Sequence, residues 1–375
     1  MRATAGLDAE VFIVDNDSHD GSVEYLRSHF PDVNYIECNH NLGFARANNI
    51  AIRQSAGEYV LLLNPDTIVG EETLRNVLLF MDAHPDSGGV GVKMLKCNGE
   101  RAMESRRGLP APMTAFYKMC GLCNRFPKSR RFGRYYMSYL PWDEPVEIEV
   151  ISGAFCMLRR TALNDAGLLD EDFFMYGEDI DLSYRLLKKG YKNWYLPETI
   201  LHYKGESTQK SSYRYVHVFY DAMLIFFKKH YGNSSIWFTL PIKAAIYAKA
   251  FIALVRMQTA NIRKALGFSP HKRPQGYEYV FIGSPEMLDQ CRTLTGRKGL
   301  SGEFFAGDSK TCPDGHLSML GKLEGDTRKY VVYDTGAFDF QTILRLFERH
   351  PVKNVYLATY NPSIGTLITD EEIIR

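Results

Sequence analysis

Apolar and polar positions divide this chain into a long mixed region, an interrupted apolar stretch and a short final region. VFIV (Val11 to Val14) and YVLLL (Tyr59 to Leu63) are unbroken apolar runs bounded by turn residues, as in strands covered on both faces. Between them, Gly21 to Phe30 and Phe44 to Gln54 carry helical spacing. A further helix presents Leu74, Val77, Leu78 and Met81 on one side. GGVGVKML (Gly88 to Leu95) predicts another strand. Strands and helices alternating at short spacing point to an α/β fold with a parallel sheet. Residues 100 to 148 break the rhythm. They are rich in Arg, Tyr, Pro and Met, and read as an irregular, mobile segment. VEIEVISGAFCMLRR (Val146 to Arg160) predicts one strand returning to the sheet, and NWYLP a short strand ahead of His202.

Ser235 to Met257 is apolar but interrupted by Pro241, Lys243, Lys249 and Arg256, so no uncharged run spans a bilayer. It reads either as a helix lying on a membrane surface or as ordinary domain packing. Lys264 to Gln275 has linker composition. Beyond it, YEYVFIGS, KYVVYDTG and VKNVYLATY are three strands, with FQTILRLFERH a helix before the last. Gly283-Ser284-Pro285 closes the first strand without the glycine fingerprint of a dinucleotide site.

Bulk composition changes this picture little. The 375 residues allow two domains, and a net charge of +1 argues against a general nucleic-acid binder. Local charge is more telling: Arg125, Lys128, Arg130, Arg131 and Arg134 fall in a stretch without an acid. That run is either a solvated loop or a surface for an anionic membrane. Seven cysteines and no secretory signal suggest a reducing cytosol. Cys120 and Cys123 form a lone CxxC without a second ligand pair, and read as structural.

Chemistry concentrates at strand and helix ends. Pro65 cannot extend a ladder, so the Tyr59 to Leu63 strand stops and delivers Asp66 at its carboxyl end. There Asp66 either caps the next helix or holds a divalent cation against a diphosphate. Asp15 ends the first strand, where its oxygens would accept from a ligand N–H or close an Asx-turn. Asn41 and Gly43 shape a turn into a helix start, near which Arg46 would meet phosphate or remain solvated. Glu178 and Asp179 follow Gly177 and open a helix with Ile180, Tyr184 and Leu187 on its apolar side. The helix dipole favours their ionised forms, whether for catalysis or simply for the helix start.

In order and spacing, VFIVDNDSHDGS, HNLGFARANNIAI, EYVLLLNPDTIVG and FFMYGEDIDLSYRLLKKGY resemble the family-2 glycosyltransferases of GT-A fold, particularly the rhamnosyltransferase-like branch. The resemblance covers roughly residues 8 to 230. It implies a GT-A domain over residues 1–232, lacking the strand and helix with which relatives begin. A helical segment over 233–268 and a small Rossmann-like α/β unit over 276–375, regulatory or structural, would follow. The implied enzyme is metal-dependent and inverting, moving a sugar from a UDP- or dTDP-sugar to a hydroxyl of a surface-polysaccharide or lipid-linked glycan. Nucleic acid is not among its expected partners.

Asp179 is then the expected base, and Glu178 would orient it or touch the acceptor. Asp66 and His202 are expected to hold Mg²⁺ or Mn²⁺, with Asn64 where many relatives carry another acid. Asp15, Asn41, Gly43, Arg46, Asn64, Ser152 and Gly153 would contact the donor, and Lys204 and Ser207 would join His202 on a closing loop. The expected location is the cytoplasm, with peripheral contact at the inner face of the cytoplasmic membrane. The rival reading is an inactive nucleotide-sugar-binding or scaffold protein.

Overall fold

The computed structural model describes residues 2–203, 213–232, 258–259 and 276–375. The expected Ser235 to Met257 helix, the Lys264 to Gln275 linker, Lys204 and Ser207 lie outside the described residues. The first region builds β1 (Phe12–Asp15), α1 (Ser22–His29), β2 (Asn34–Glu37), α2 (Phe44–Gln54), β3 (Tyr59–Leu63), β4 (Thr67–Val69), α3 (Thr73–Ala83) and β5 (Ser87–Leu95). It continues with α4 (Pro112–Met119), α5 (Leu122–Arg125), β6 (Val146–Ile148), β7 (Phe155–Arg159), α6 (Arg160–Ala166), α7 (Glu178–Lys188), β8 (Lys192–His202) and α8 (Tyr213–Tyr231).

The architecture is α/β, as expected, but its main sheet is mixed. The strand order is β3-β7-β5-β8-β4, with β6 also on β8. Only β5 and β8 run parallel in it. The excursion from β5 leaves and re-enters at one end of the sheet, which makes β7 antiparallel to both its neighbours. That end collects the residues following β3, those preceding β7 and the end of β8.

Four expectations need correction. First, β3 is not covered on both faces: Val60 and Leu62 are buried while Leu63 is 43% exposed. β1 and β2 pair with each other in a separate sheet, leaving β3 at an edge. Second, Val146 to Arg160 is two strands. Val150 leaves the ladder to bridge Arg107, and the chain turns through Ser152 to Ala154 before β7. Third, residues 100 to 148 contain α4 and α5 and pack closely. The Arg106 guanidinium lies 3.6 Å from the Trp142 ring centre and donates to the Leu140 and Pro141 carbonyls at 2.6 Å. Burial pulls its pKa down to about 10. Fourth, β8 runs on to His202, because Pro197 falls at a register shift between Leu196 and Thr199 where no ladder donor is needed.

Core side chains fill both faces of the sheet. Leu62, Leu158, Leu163, Leu182, Leu186 and Tyr195 pack on one side. Leu74, Val77, Met81, Val92, Phe155 and Met157 pack on the other. The apolar side of α7 is broader than its sequence suggests, since Leu182 and Leu186 are buried beside Ile180.

The final region builds β9 (Glu278–Gly283), β10 (Ser301–Ala306), β11 (Lys329–Asp334), β12 (Val355–Asn361), β13 (Thr366–Ile368) and β14 (Ile373–Ile374). They form one sheet, ordered β10-β9-β11-β12-β13-β14. The three expected strands and the helix Phe340–Arg349 are present. The helix Pro285–Lys298, capped by Ser284, was not anticipated, nor were β10, β13 and β14.

Candidate active site

Asn64, Asp66 and His202 meet because β3 ends at Pro65 and β4 then turns back alongside β8. Thr67 pairs with His202 in that ladder, and the Tyr203 N–H donates to the Asp66 carbonyl at 2.9 Å. The His202 Nε2 lies 3.2 Å from Asp66 Oδ1 and 3.4 Å from the Asn64 amide nitrogen. The alternative that Asp66 caps α3 is not realised: Glu72 occupies the cap position, without a side-chain bond. Among the described residues no three His, Cys, Asp or Glu side chains converge as a complete metal cage. One carboxylate and one imidazole nonetheless fit a divalent cation whose other ligands are water and phosphate oxygens.

The same sheet end carries the second carboxylate. The Asn64 N–H donates to the Ala154 carbonyl at 3.0 Å, which ties the strand end to the Ser152 to Ala154 turn. The Gly153 N–H donates to Asp179 Oδ2 at 3.2 Å, and a Cβ on Gly153 would touch the Asp179 side chain at 3.6 Å. Asp179 also forms an ion pair with Arg107, and both side chains are largely buried. The Ser183 hydroxyl, one turn along α7, accepts the Ile151 N–H at 3.1 Å and fixes the helix against this turn. Asn64, Asp66, His202, Ser152, Gly153, Glu178 and Asp179 therefore belong to one connected end of the sheet.

Glu178 and Asp179 differ sharply. Glu178 is 6% exposed, and its Oε2 has no hydrogen-bond partner. Burial first, and the Asp179 charge second, push its pKa up to about 8. Its environment thus favours the protonated form, while Asp179 faces a guanidinium. The sequence signal for two ionised acids at a helix start holds for position, but the deeper member pays the desolvation cost.

α7 is anchored from behind by Asp181, which is fully buried. Its carboxylate takes Arg185 at 2.7 Å, Lys229 at 2.9 Å and His230 at 2.6 Å. Burial would raise its pKa, but these three groups together hold it below the usual value. Thus α8 locks the helix that carries Asp179.

The remaining donor-side residues form a neighbouring turn. Asn16, unremarked in the sequence, accepts the Leu42 N–H at 2.8 Å and donates to Asn41 Oδ1 at 3.1 Å. Gly43 lies against Phe174, whose carbonyl accepts the Phe44 N–H at 2.8 Å. Asp15 Oδ2 accepts the Ser18 N–H at 3.3 Å, the Asx-turn that its sequence context allowed. Arg46 is not a free cation: its Nε donates to Glu171 at 3.1 Å, beside Arg53 and Asn49 on the same carboxylate. Arg107 and Glu171 were not legible as site or hub residues. The adjacent arginines of ESRRGLP were the one visible hint of the former.

Residues 2–167 match the sequence profile of Glycosyl transferase family 2. The chain is 27% identical over 275 residues to N-acetylglucosaminyl-diphospho-decaprenol L-rhamnosyltransferase of Mycobacterium tuberculosis, covering 68% of this chain and 85% of that protein. It is 29% identical over 181 residues to the low-salt glycan biosynthesis hexosyltransferase Agl10 of Haloferax volcanii, covering 47% of this chain and 53% of the relative. Among solved structures, a mannosyltransferase from Pyrobaculum calidifontis with GDP-Man and Mn²⁺ aligns at TM-score 0.36 and 20% identity, covering 70% of this chain and 72% of that one. GalNAc-T7 with UDP, GalNAc and Mn²⁺ aligns at TM-score 0.41 and 17% identity, covering 57% of this chain and 41% of that one. No helix among the described residues is long and apolar enough to cross a membrane.

Proposed function

We propose that this chain is an inverting glycosyltransferase that takes a UDP- or dTDP-sugar and glycosylates a hydroxyl of a lipid-linked or surface-polysaccharide acceptor. The observation that carries the reading is the Asp179 carboxylate. It is held by Arg107 and the Gly153 N–H at the sheet end that also presents Asp66 and His202. The relatives' own names, a rhamnosyltransferase acting on a diphospho-decaprenol and a hexosyltransferase, support a lipid-linked acceptor and the transfer of a rhamnosyl or hexosyl group.

Asp179 accepts the acceptor's hydroxyl proton as the oxygen forms its bond to the anomeric carbon. The bond from that carbon to the diphosphate oxygen breaks, and its electron pair leaves with the nucleoside diphosphate. A single displacement inverts the anomeric centre. Asp66 and His202 would hold Mg²⁺ or Mn²⁺, which when bound neutralises charge on the departing diphosphate. Gly153 lets the backbone reach Asp179, and protonated Glu178 adds no second negative charge beside it. Asp15 and the Asn41 to Gly43 turn stand on the donor side, where the base and ribose would lie.

Asp179→Asn tests the assignment. Transfer should be abolished, while calorimetric affinity for UDP or dTDP stays within about threefold, roughly 0.7 kcal/mol. Equal loss of binding and transfer would overturn Asp179 as the base.

A further inference from the structure

The segment 112–134 carries a surface that the transfer chemistry does not use. It contains Lys118, Arg125, Lys128, Arg130, Arg131 and Arg134, and no acid. Nine large apolar side chains are exposed among the described residues, and Met113, Phe116 and Phe126 of this one segment are three of them. They are not scattered. Phe116 contacts Tyr117 at 6.1 Å between ring centres, Tyr117 contacts Phe132 at 4.9 Å, and Phe132 contacts Phe126 at 5.6 Å. Met113 lies one turn from Phe116 on α4, on the same helix face.

Cations border this aromatic row. The Arg131 guanidinium lies 5.6 Å from both the Tyr117 and Phe132 ring centres. Arg125, Lys128, Arg130 and Arg131 are exposed, and none pairs with a carboxylate among the described residues. Arg134 pairs with Glu149 at 2.5 Å. Exposed aromatic and thioether groups beside unpaired cations match the boundary between lipid headgroups and acyl chains.

The segment also begins and ends at the site. The Gly108 N–H donates to the Tyr135 carbonyl at 3.1 Å, closing the excursion, and the residue before Gly108 is the Arg107 that pairs with Asp179. We infer that the face formed by α4, α5 and the following basic loop docks on an anionic bilayer surface, beside the acceptor side of Asp179. A glycan anchored in that bilayer would then present its hydroxyl to the base without leaving the membrane. The last step rests on the glycosyltransferase reading; the docking itself does not.

The test is flotation of the full chain with vesicles of phosphatidylcholine alone or with phosphatidylglycerol. Phe116→Ser/Phe126→Ser and Arg125→Gln/Lys128→Gln/Arg130→Gln variants are compared with wild type. Wild type should bind the anionic vesicles at least about tenfold more tightly than the neutral ones, and weaken with salt. Each variant should lose about tenfold, with thermal unfolding and UDP or dTDP affinity unchanged. Variants that float as well as wild type would overturn the assignment of this face. No flotation of wild type would overturn membrane docking altogether, leaving a protein partner for the patch. Failure of the enzyme reading would appear separately, as absence of nucleotide binding in every variant.

Discussion

Gly43→Ala probes the junction between the donor-side turn and the loop that leads into α7. Gly43 has φ 80° and ψ 171°, a backbone region open essentially to glycine. A Cβ there would stand 2.5 Å from the Phe174 carbonyl oxygen and 2.9 Å from its ring. The backbone conformation alone costs alanine about 1–3 kcal/mol. Displacing a packed backbone adds about 1–3 kcal/mol. We expect a loss near 3 kcal/mol, which lowers Tm by roughly 6–12 °C in a domain of this size. Gly21→Ala is the control. Its φ is 77°, but nothing lies within 4 Å of the added carbon. It should lose only about 1 kcal/mol. Thermal unfolding of both variants, followed by circular dichroism, gives as their difference the Phe174 contact together with the less favourable backbone region of Gly43. Transfer activity at 20–25 °C, where both remain folded, should fall more in Gly43→Ala, because Phe174 precedes Gly177 and the helix that carries Asp179. Equal Tm values for the two variants would refute the claim that this contact holds the two loops together.

Glu178→Gln should change how stability depends on pH. Native Glu178 has a pKa near 8 against 4.5 for the free group, so its stabilising contribution is complete at low pH and is lost as pH rises toward 8. Wild type should therefore weaken relative to the Gln variant between about pH 5 and pH 8 in guanidinium unfolding, and a constant difference would refute this. Asp66→Ala should remove the cation-dependent part of nucleotide affinity, about tenfold or more, roughly 1.4 kcal/mol, and leave cation-free affinity unchanged. Identical Mn²⁺ responses in the two proteins would exclude Asp66 as a ligand. Lys93→Met should cost about 2–4 kcal/mol, since the buried Lys93 of the first region pairs with Glu348 of the last at 2.7 Å and Arg101, at 3.3 Å from Glu348, replaces it only in part. An unchanged Tm would mean the link is energetically neutral.

How much of this was legible follows from which contacts are local. Asp66 and Asp179 could be placed from the chain because their positions are set by neighbours: Pro65 ends a strand and Gly177 begins a helix. Gly177 has φ 88°, and a side chain there would strike the Phe173 ring at 2.9 Å. Arg107 could not be placed, because its partner is 72 positions away and depends on how the 100–148 excursion folds back. The same holds for Glu171, which gathers Arg46, Arg53 and Asn49 from α2. An arginine near a helix start reads as an anion site until the carboxylate that satisfies it is found. The strand error at Tyr59 to Leu63 has a different origin. An apolar run reports burial summed over both faces and both edges, and β3 has a half-buried face and one unpaired edge.

The docking of the final region was the least legible feature, and it bears directly on the candidate site. The Glu71 carboxylate accepts the N–H groups of Phe340 and Gln341 at 2.9 Å, so a residue of the first region caps a helix of the last. The Leu357 N–H donates to the Cys97 carbonyl at 2.7 Å. Lys93, 5% exposed, reaches Glu348 at 2.7 Å, and Thr199 donates to the same carboxylate at 3.0 Å. Leu201 is buried in the apolar core of the final region, one residue before His202. The Tyr203 N–H then holds the Asp66 carbonyl. Strand β8 thus gives alternate residues to two purposes, Leu201 to the second core and His202 to the candidate cation site. This alternation is dictated by the two-residue period of a strand. A shift of the final region along β8 would move Leu201 and His202 together. The geometry of the Asp66 and His202 pair is therefore set by packing in both regions.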